Sequence, residues 1–321
     1  MIKLTQTLHF AWLIRVFRIL RKVLLPSMKT TLWLLKIMLP ISFVVTLLQH
    51  FGVIAWIATY LDPIFRFMGL PGASAIAFVT GASVTTYACL AVMLSMQLTM
   101  RQATILAIMV LLCHALPMES AVVKKVGSNP WRMAVLRIIA AFVAAFYLNL
   151  VLPDMPQPFV AHATVAEEVT YMELLTQWLL SSLKLSLMIF GIIYSLMVIQ
   201  RVFERLGIMR MLTKPLRPLM LLLGLPENAS YLWLVGNVLG ISYGSAAMID
   251  LEEQGQITKE EANEVNYHLI MNHSMLEDTL VFVTAGVSAW WILSTRMLFA
   301  VCLVWGRKIT LNLFGSLKEN A

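Results

Sequence analysis

Leu111-Leu112-Cys113-His114-Ala115-Leu116-Pro117-Met118-Glu119-Ser120 and Ile270-Met271-Asn272-His273-Ser274-Met275-Leu276-Glu277-Asp278-Thr279 decide how this chain is read. Each places a histidine and, five residues on, a carboxylate in the middle of an apolar run long enough to cross a bilayer. An ionisable side chain at that depth costs at least about 2.5 kcal/mol, so it faces a partner or a cavity rather than lipid. Two such clusters at matching places point to one site built by two halves.

The composition agrees with the membrane reading. Of 321 residues, 60% are hydrophobic and 13% charged, whereas soluble domains carry about 25% charged residues. The N-terminus shows no short apolar core followed by a small-residue cleavage site, so no signal peptide is expected. Cys89, Cys113 and Cys302 all lie in apolar segments, and no disulfide is expected among them. The net charge of +7 reads as a topology signal, and the chain has no basic, aromatic-interleaved module for nucleic acid. It also has no Gly-x-x-x-x-Gly-Lys phosphate loop and no His-Glu-x-x-His zinc-protease motif, so no catalytic residues and no enzymatic role are assigned.

Working outward from the two clusters, the punctuation residues repeat in order. Leu61-Asp62-Pro63 corresponds to Leu216-Arg217-Pro218, Gly69-Leu70-Pro71 to Gly224-Leu225-Pro226, and Gly81 to Gly236. His114 then pairs with His273, and Glu119 with Asp278. The chain therefore divides into a basic amphipathic helix lying in the interface over 1–30, a first repeat over 31–152, an acidic extracytoplasmic loop over 153–173, a second repeat over 174–312 and a tail over 313–321. Small and hydroxyl-bearing residues interrupt the apolar stretches at 81–87 and 236–245, the pattern of re-entrant helical hairpins rather than straight crossings. The fold class expected is an all-α polytopic membrane protein of two inverted repeats, each with a hairpin and a broken or polar mid-membrane helix. With the N-terminus inside, most lysines and arginines fall on the cytoplasmic side and both termini are cytoplasmic, in an inner membrane. A charged loop is expected over 250–264.

Inverted repeats with broken helices mark a secondary transporter whose site lies where the halves meet. Ser83, Thr85 and Thr86 at the first hairpin tip, and Asn237 and Ser242 at the second, are the expected hydroxyl and amide contributors to a solute site. His114, Glu119, His273, Glu277 and Asp278 are expected to supply charge and proton-linked hydrogen bonds, and Asn272 is expected to line the same solute site. Pro117 is expected to kink its helix and free the carbonyl of Cys113. The simpler alternative is that such polar residues only glue helices together, at about 0.6 kcal/mol each. Tyr87 and Tyr243 read as packing residues. Cys113, His114, His273 and the carboxylates offer sulfur, nitrogen and oxygen to a metal, but the two histidines do not share a helix at ligand spacing, and no metal is assigned.

With Thr80-Gly81-Ala82-Ser83, Cys113-to-Ser120, Gly236-Asn237 and Asn272-to-Thr279 in view, the sequence resembles the nucleoside recognition (Gate) membrane proteins. That broad group takes in spore maturation proteins A and B, the membrane part of ferrous iron transport protein B and, more remotely, the concentrative nucleoside transporters. The resemblance implies two Gate repeats over about residues 30 to 312. Two departures stand against carrying over a substrate: Gly81-Ala82-Ser83-Val84 lacks the amide and acid of the nucleoside transporters' hairpin element, and no GTPase domain is present.

The functional expectation is a transporter or permease moving a small polar or amphiphilic, lipid-like solute by alternating access. It has no cofactor; a coupling proton or sodium ion and a homo-oligomeric state are both compatible with it. The alternative is a non-transporting membrane partner or scaffold in an envelope or developmental process.

Overall fold

The computed structural model describes residues 20–159 and 171–319 apart from positions 33, 34, 37, 38, 41, 45 and 49, and excludes the side chains of a few helical residues, Ser242 among them. Helix α1 is helical at every described position from 20 to 50. Most of the expected interfacial helix, residues 1–19, lies outside the described residues; the remainder runs into the first crossing without a break at 30–31.

The two halves then present the same order of helices. The first half has α2 (Val53–Arg66), α3 (Ser74–Ser83), α4 (Thr86–Leu94), α5 (Met100–Cys113), α6 (Leu116–Lys125) and α7 (Pro130–Val151). After α8 (Tyr171–Leu206), the second half has α9 (Ile208–Leu222), α10 (Ser230–Leu239), α11 (Ile241–Glu253), α12 (Lys259–Asn272), α13 (Met275–Val283) and α14 (Ala289–Glu319).

Identical local devices set the matching boundaries. Gly69 and Gly224 both take positive φ, and the next residue's N–H reaches back five residues, Leu70 to Phe65 O at 3.0 Å and Leu225 to Met220 O at 2.8 Å. This is the Schellman end of a helix, and a proline follows each time. At the other end of the repeat, Thr99 with Gln102 caps α5 and Thr258 with Glu261 caps α12, each by a reciprocal capping box. The Thr258 N–H bond to Glu261 also holds that exposed carboxyl below its ordinary pKa.

The interrupted stretches are hairpins. α3 has 10 residues and α4 has 9, so each arm reaches about 15 Å, half of a hydrocarbon core about 30 Å thick. α3 packs on α4, and α10 on α11. Among the described residues, four helical stretches are long and apolar enough to cross: Met100–Lys125, Pro130–Val151, Tyr171–Phe203 and Ala289–Asn312. On α7, Val135, Ile139, Val143, Phe146 and Leu150 recur at helical spacing and are all exposed. A soluble helix would bury such a stripe, whereas a membrane-spanning helix can leave it facing lipid.

α5 lies at the centre, with Ala103 through Cys113 all buried, packed on α7 as α12 is on α14. Each hairpin's second arm crosses over to the other half, α4 against α13 and α11 against α6.

Two expectations need correction. The charged loop is only the turn between Glu253 and Lys259, because the capping box starts α12 early and α11 runs on to Glu253. Pro117 does not kink a continuous helix: the chain breaks at His114–Ala115, and Pro117 sits in the first turn of α6, where its missing N–H costs nothing.

Candidate functional site

The two breaks are built alike. His114 (φ −71°, ψ 159°) leaves α5 extended, and Ala115 (φ 47°, ψ 36°) turns left-handed before α6 starts. His273 (φ −70°, ψ 166°) and Ser274 (φ 51°, ψ 32°) do the same between α12 and α13. These are the only non-glycine residues with positive φ among the described residues. The αL region costs an L-residue about 1–2 kcal/mol, so contacts from elsewhere hold the conformation. One such contact comes from each half's own hairpin: Ala115 N–H donates to Gly81 O at 3.0 Å and Ser274 N–H to Gly236 O at 3.1 Å.

Glycine at those hairpin positions is what allows the approach. A Cβ on Gly81 would stand 2.5 Å from Val110 Cγ1 and 3.0 Å from Cys89 Cβ, and one on Gly236 2.5 Å from Leu269 Cδ1. It follows that Ala115→Gly keeps or raises the thermal midpoint of the detergent-purified protein. Ala115→Val, which combines a β-branch with positive φ at a buried position, lowers it through strain on the order of 1–3 kcal/mol.

At the breaks, both histidine rings turn inward and meet. His114 Nδ1 lies 3.1 Å from Leu111 O, and His273 Nδ1 lies 2.7 Å from Leu269 O. A carbonyl oxygen only accepts, so both Nδ1 atoms carry the proton, and in the neutral ring each Nε2 presents a lone pair. The two Nε2 atoms are 3.2 Å apart, and each is 3.1 Å from Glu119 Oε1. Asp278 Oδ2 stands 3.9 Å from His114 Nε2. All four side chains are buried. Glu119 and Asp278 sit in the first turns of α6 and α13, where the positive end of the helix dipole favours a carboxylate.

Two arginines complete the group. Arg137 on α7 donates from Nε to Leu112 O at 2.9 Å and from Nη1 to Glu119 Oε2 at 2.5 Å. Arg296 on α14 donates from Nε to Met271 O at 3.0 Å, from Nη1 to Asp278 Oδ2 at 2.9 Å and from Nη2 to His273 O at 2.6 Å. Each guanidinium therefore neutralises the carboxylate after a break and satisfies a carbonyl left open at the end of the helix before it. Sequence reasoning missed both. The available signal was the repeat: Arg137 and Arg296 stand at the same offset of 159 residues as the two histidines.

The other expected site residues divide. Glu277 accepts from Tyr87 Oη at 2.9 Å, which joins α13 to the first hairpin and gives Tyr87 a polar role beyond packing. Tyr243 is 61% exposed, so packing does not describe it either. Thr85 caps α4, its Oγ1 accepting from Ala88 N–H at 3.1 Å. Thr86 is buried in the first turn of α4 and Ser83 is exposed at the end of α3. Asn237 donates to Trp233 O at 2.8 Å, and Asn272 Nδ2 meets Met297 Sδ at 3.7 Å; the Oδ1 of each is buried without a hydrogen-bond partner. The Ser242 side chain lies outside the described residues. The tertiary structure thus gathers His114, Glu119, His273 and Asp278, with Glu277 beside them, while Thr85 serves its own hairpin as a helix cap.

A cavity of about 360 Å³ opens elsewhere, between α1, the end of α4 and α8, and none of the His–carboxylate group lines it. Ser42, Thr46, His50, Gln97, Gln177 and Ser182 give it a polar wall. No sequence expectation fell on this cavity, because its wall comes from three segments distant in the chain.

Residues 31–129 match the Gate family, described as nucleoside recognition. YvoD of Bacillus subtilis (strain 168), described as an uncharacterized membrane protein, is 32% identical over 279 residues, which is 86% of this chain and 89% of YvoD. Among solved structures, CNTnw in an inward-facing substrate-bound state has 12% identity and a TM-score of 0.48, covering 84% of this chain and 74% of that one. The CNTnw N149S,F366A variant in an outward-facing state has 14% identity and a TM-score of 0.47, covering 83% and 73%.

Proposed function

This chain belongs to the membrane-protein family of YvoD and carries a Gate domain, and on that premise we propose that it is a secondary transporter or permease for a small polar solute. In this reading the two halves lie inverted in the inner membrane, with both termini cytoplasmic, and alternate access by moving against each other. The observation that carries it is the junction itself: Glu119 of the first half lies 3.1 Å from His273 of the second, inside a group whose two carboxylates are each neutralised by an arginine. Helix glue does not require two broken helices, two left-handed residues and four buried charges converging on one point. A bistable joint that seats a cation does.

The 360 Å³ cavity is the candidate solute chamber, since it lies within the ordinary size range of a ligand pocket, about 300–1,000 Å³, and has hydroxyl and amide groups to orient a polar molecule. Proton and sodium gradients are the driving forces to test, and the Gate description makes a nucleoside the first probe. Uptake of labelled uridine into proteoliposomes is expected under one of these gradients, and at least about tenfold less with Glu119→Gln or Asp278→Asn in protein that stays monodisperse. Undiminished uptake in both variants would remove the junction from the mechanism. A cysteine placed at Ser182 gives a readout that needs no solute. Alternating access expects its labelling from one side to change when the gradient is collapsed, whereas a static scaffold expects no change.

A further inference from the structure

We infer that His114, His273 and Glu119 form a binding site for a divalent transition-metal ion, held between the two halves of the protein. The inference deepens the reading of the junction as a cation seat but does not depend on transport. Both Nδ1 atoms are committed as donors to Leu111 O and Leu269 O, and Glu119 Oε2 is committed to Arg137. What remains is His114 Nε2, His273 Nε2 and Glu119 Oε1: three lone-pair atoms facing one another at 3.2, 3.1 and 3.1 Å with no hydrogen between them in the neutral rings. Such a triangle repels itself unless a positive centre occupies it.

Its proportions suit a metal ion, and the three edges are nearly equal. For ligand bonds of about 2.0–2.2 Å, atoms sharing a tetrahedral or octahedral ion stand about 2.9–3.5 Å apart, and all three edges fall in that range.

The surroundings also suit a ligand set. Each ring's far nitrogen is oriented by a backbone carbonyl, and the carboxylate's far oxygen by an arginine, the usual arrangement behind metal ligands. Two imidazoles and one carboxylate leave coordination positions free, which is the pattern of an ion open to further ligands rather than a closed structural site. The donor set favours zinc or ferrous iron over magnesium or calcium. Because His114 and Glu119 come from one half and His273 from the other, a bound ion ties the halves together.

The test is equilibrium binding by the full chain in detergent after chelator treatment. Titration with Co²⁺ is expected to develop visible ligand-field bands saturating at one ion per chain, with Zn²⁺ displacing it. The X-ray absorption of the zinc form is expected to show two imidazole ligands and oxygen at about 2.0–2.2 Å. His114→Ala and His273→Ala, each checked for monodispersity, are expected to weaken binding by about 100-fold or more. No stoichiometric ion on the wild-type protein, or a zinc spectrum without imidazole, would overturn the site even if a variant failed to fold. Retained affinity in both folded variants would place the ion elsewhere and also overturn it. No flux is measured: the metal site stands or falls on binding alone, and the transport reading on the gradient-dependent labelling at Ser182, so either can fail while the other stands.

Discussion

Replacing Arg137 with methionine is expected to lower the thermal midpoint of the purified protein severely, by the equivalent of about 3–5 kcal/mol of stability. The guanidinium is almost wholly buried and makes two bonds that nothing nearby replaces, one to the Glu119 carboxylate and one to Leu112 O at the end of α5. Removing it strands a carboxylate and a carbonyl in the interior, and the loss exceeds the net worth of the pair, because an unpaired buried charge pays its full desolvation cost. The sign of a second substitution follows from the same argument. Arg137→Met combined with Glu119→Gln is expected to recover part of the loss, since the stranded charge is gone. If the double variant is as unstable as the sum of the two single ones, the two side chains are not acting as a pair. Arg296→Met is expected to cost at least as much, because Arg296 also holds His273 O through Nη2.

The second large effect is expected at the first hairpin. Gly81→Ala puts a methyl group 2.5 Å from Val110 Cγ1 and 3.0 Å from Cys89 Cβ, and Cys89 Cβ is fixed to the backbone of α4 and cannot swing aside. Overpacking of this kind costs about 1–3 kcal/mol. It also pushes α3 away from the break whose Ala115 N–H bonds to Gly81 O, so a lower midpoint is expected together with weaker binding at the histidines. Gly236→Ala is expected to cost less, since the obstruction there is the far end of the Leu269 side chain, which can rotate. Equal losses at the two positions would show that side-chain relief does not govern the cost.

Much of the architecture was legible because it follows from patterns along the chain. Gly69-Leu70-Pro71 and Gly224-Leu225-Pro226 stop helices by a local backbone device. The small-residue interruptions at 81–87 and 236–245 divide apolar stretches into arms too short to cross. Threonine with an acid or amide three residues later opens α5 and α12, a signal present in the sequence that the expectation of a loop over 250–264 passed over. The breaks themselves were only partly legible. Pro117 was visible, but whether it kinks a helix or starts one depends on the left-handed turn at Ala115, which an alanine does not announce.

By itself, the sequence determined the membrane environment, the doubled order of elements and the residues that had to be paired, because hydropathy, periodicity and capping act within a few residues of one another. Only the tertiary structure decided which partners they found. Arg137 closes on Glu119 from 18 residues away and Arg296 on Asp278 from the same separation, while His114 meets His273 across 159 residues. A buried charge requires a counter-charge but does not specify where along the chain it comes from. Packing of α7 on α5 and of α14 on α12 supplies it, and the crossing of each hairpin arm onto the opposite half brings the two breaks face to face.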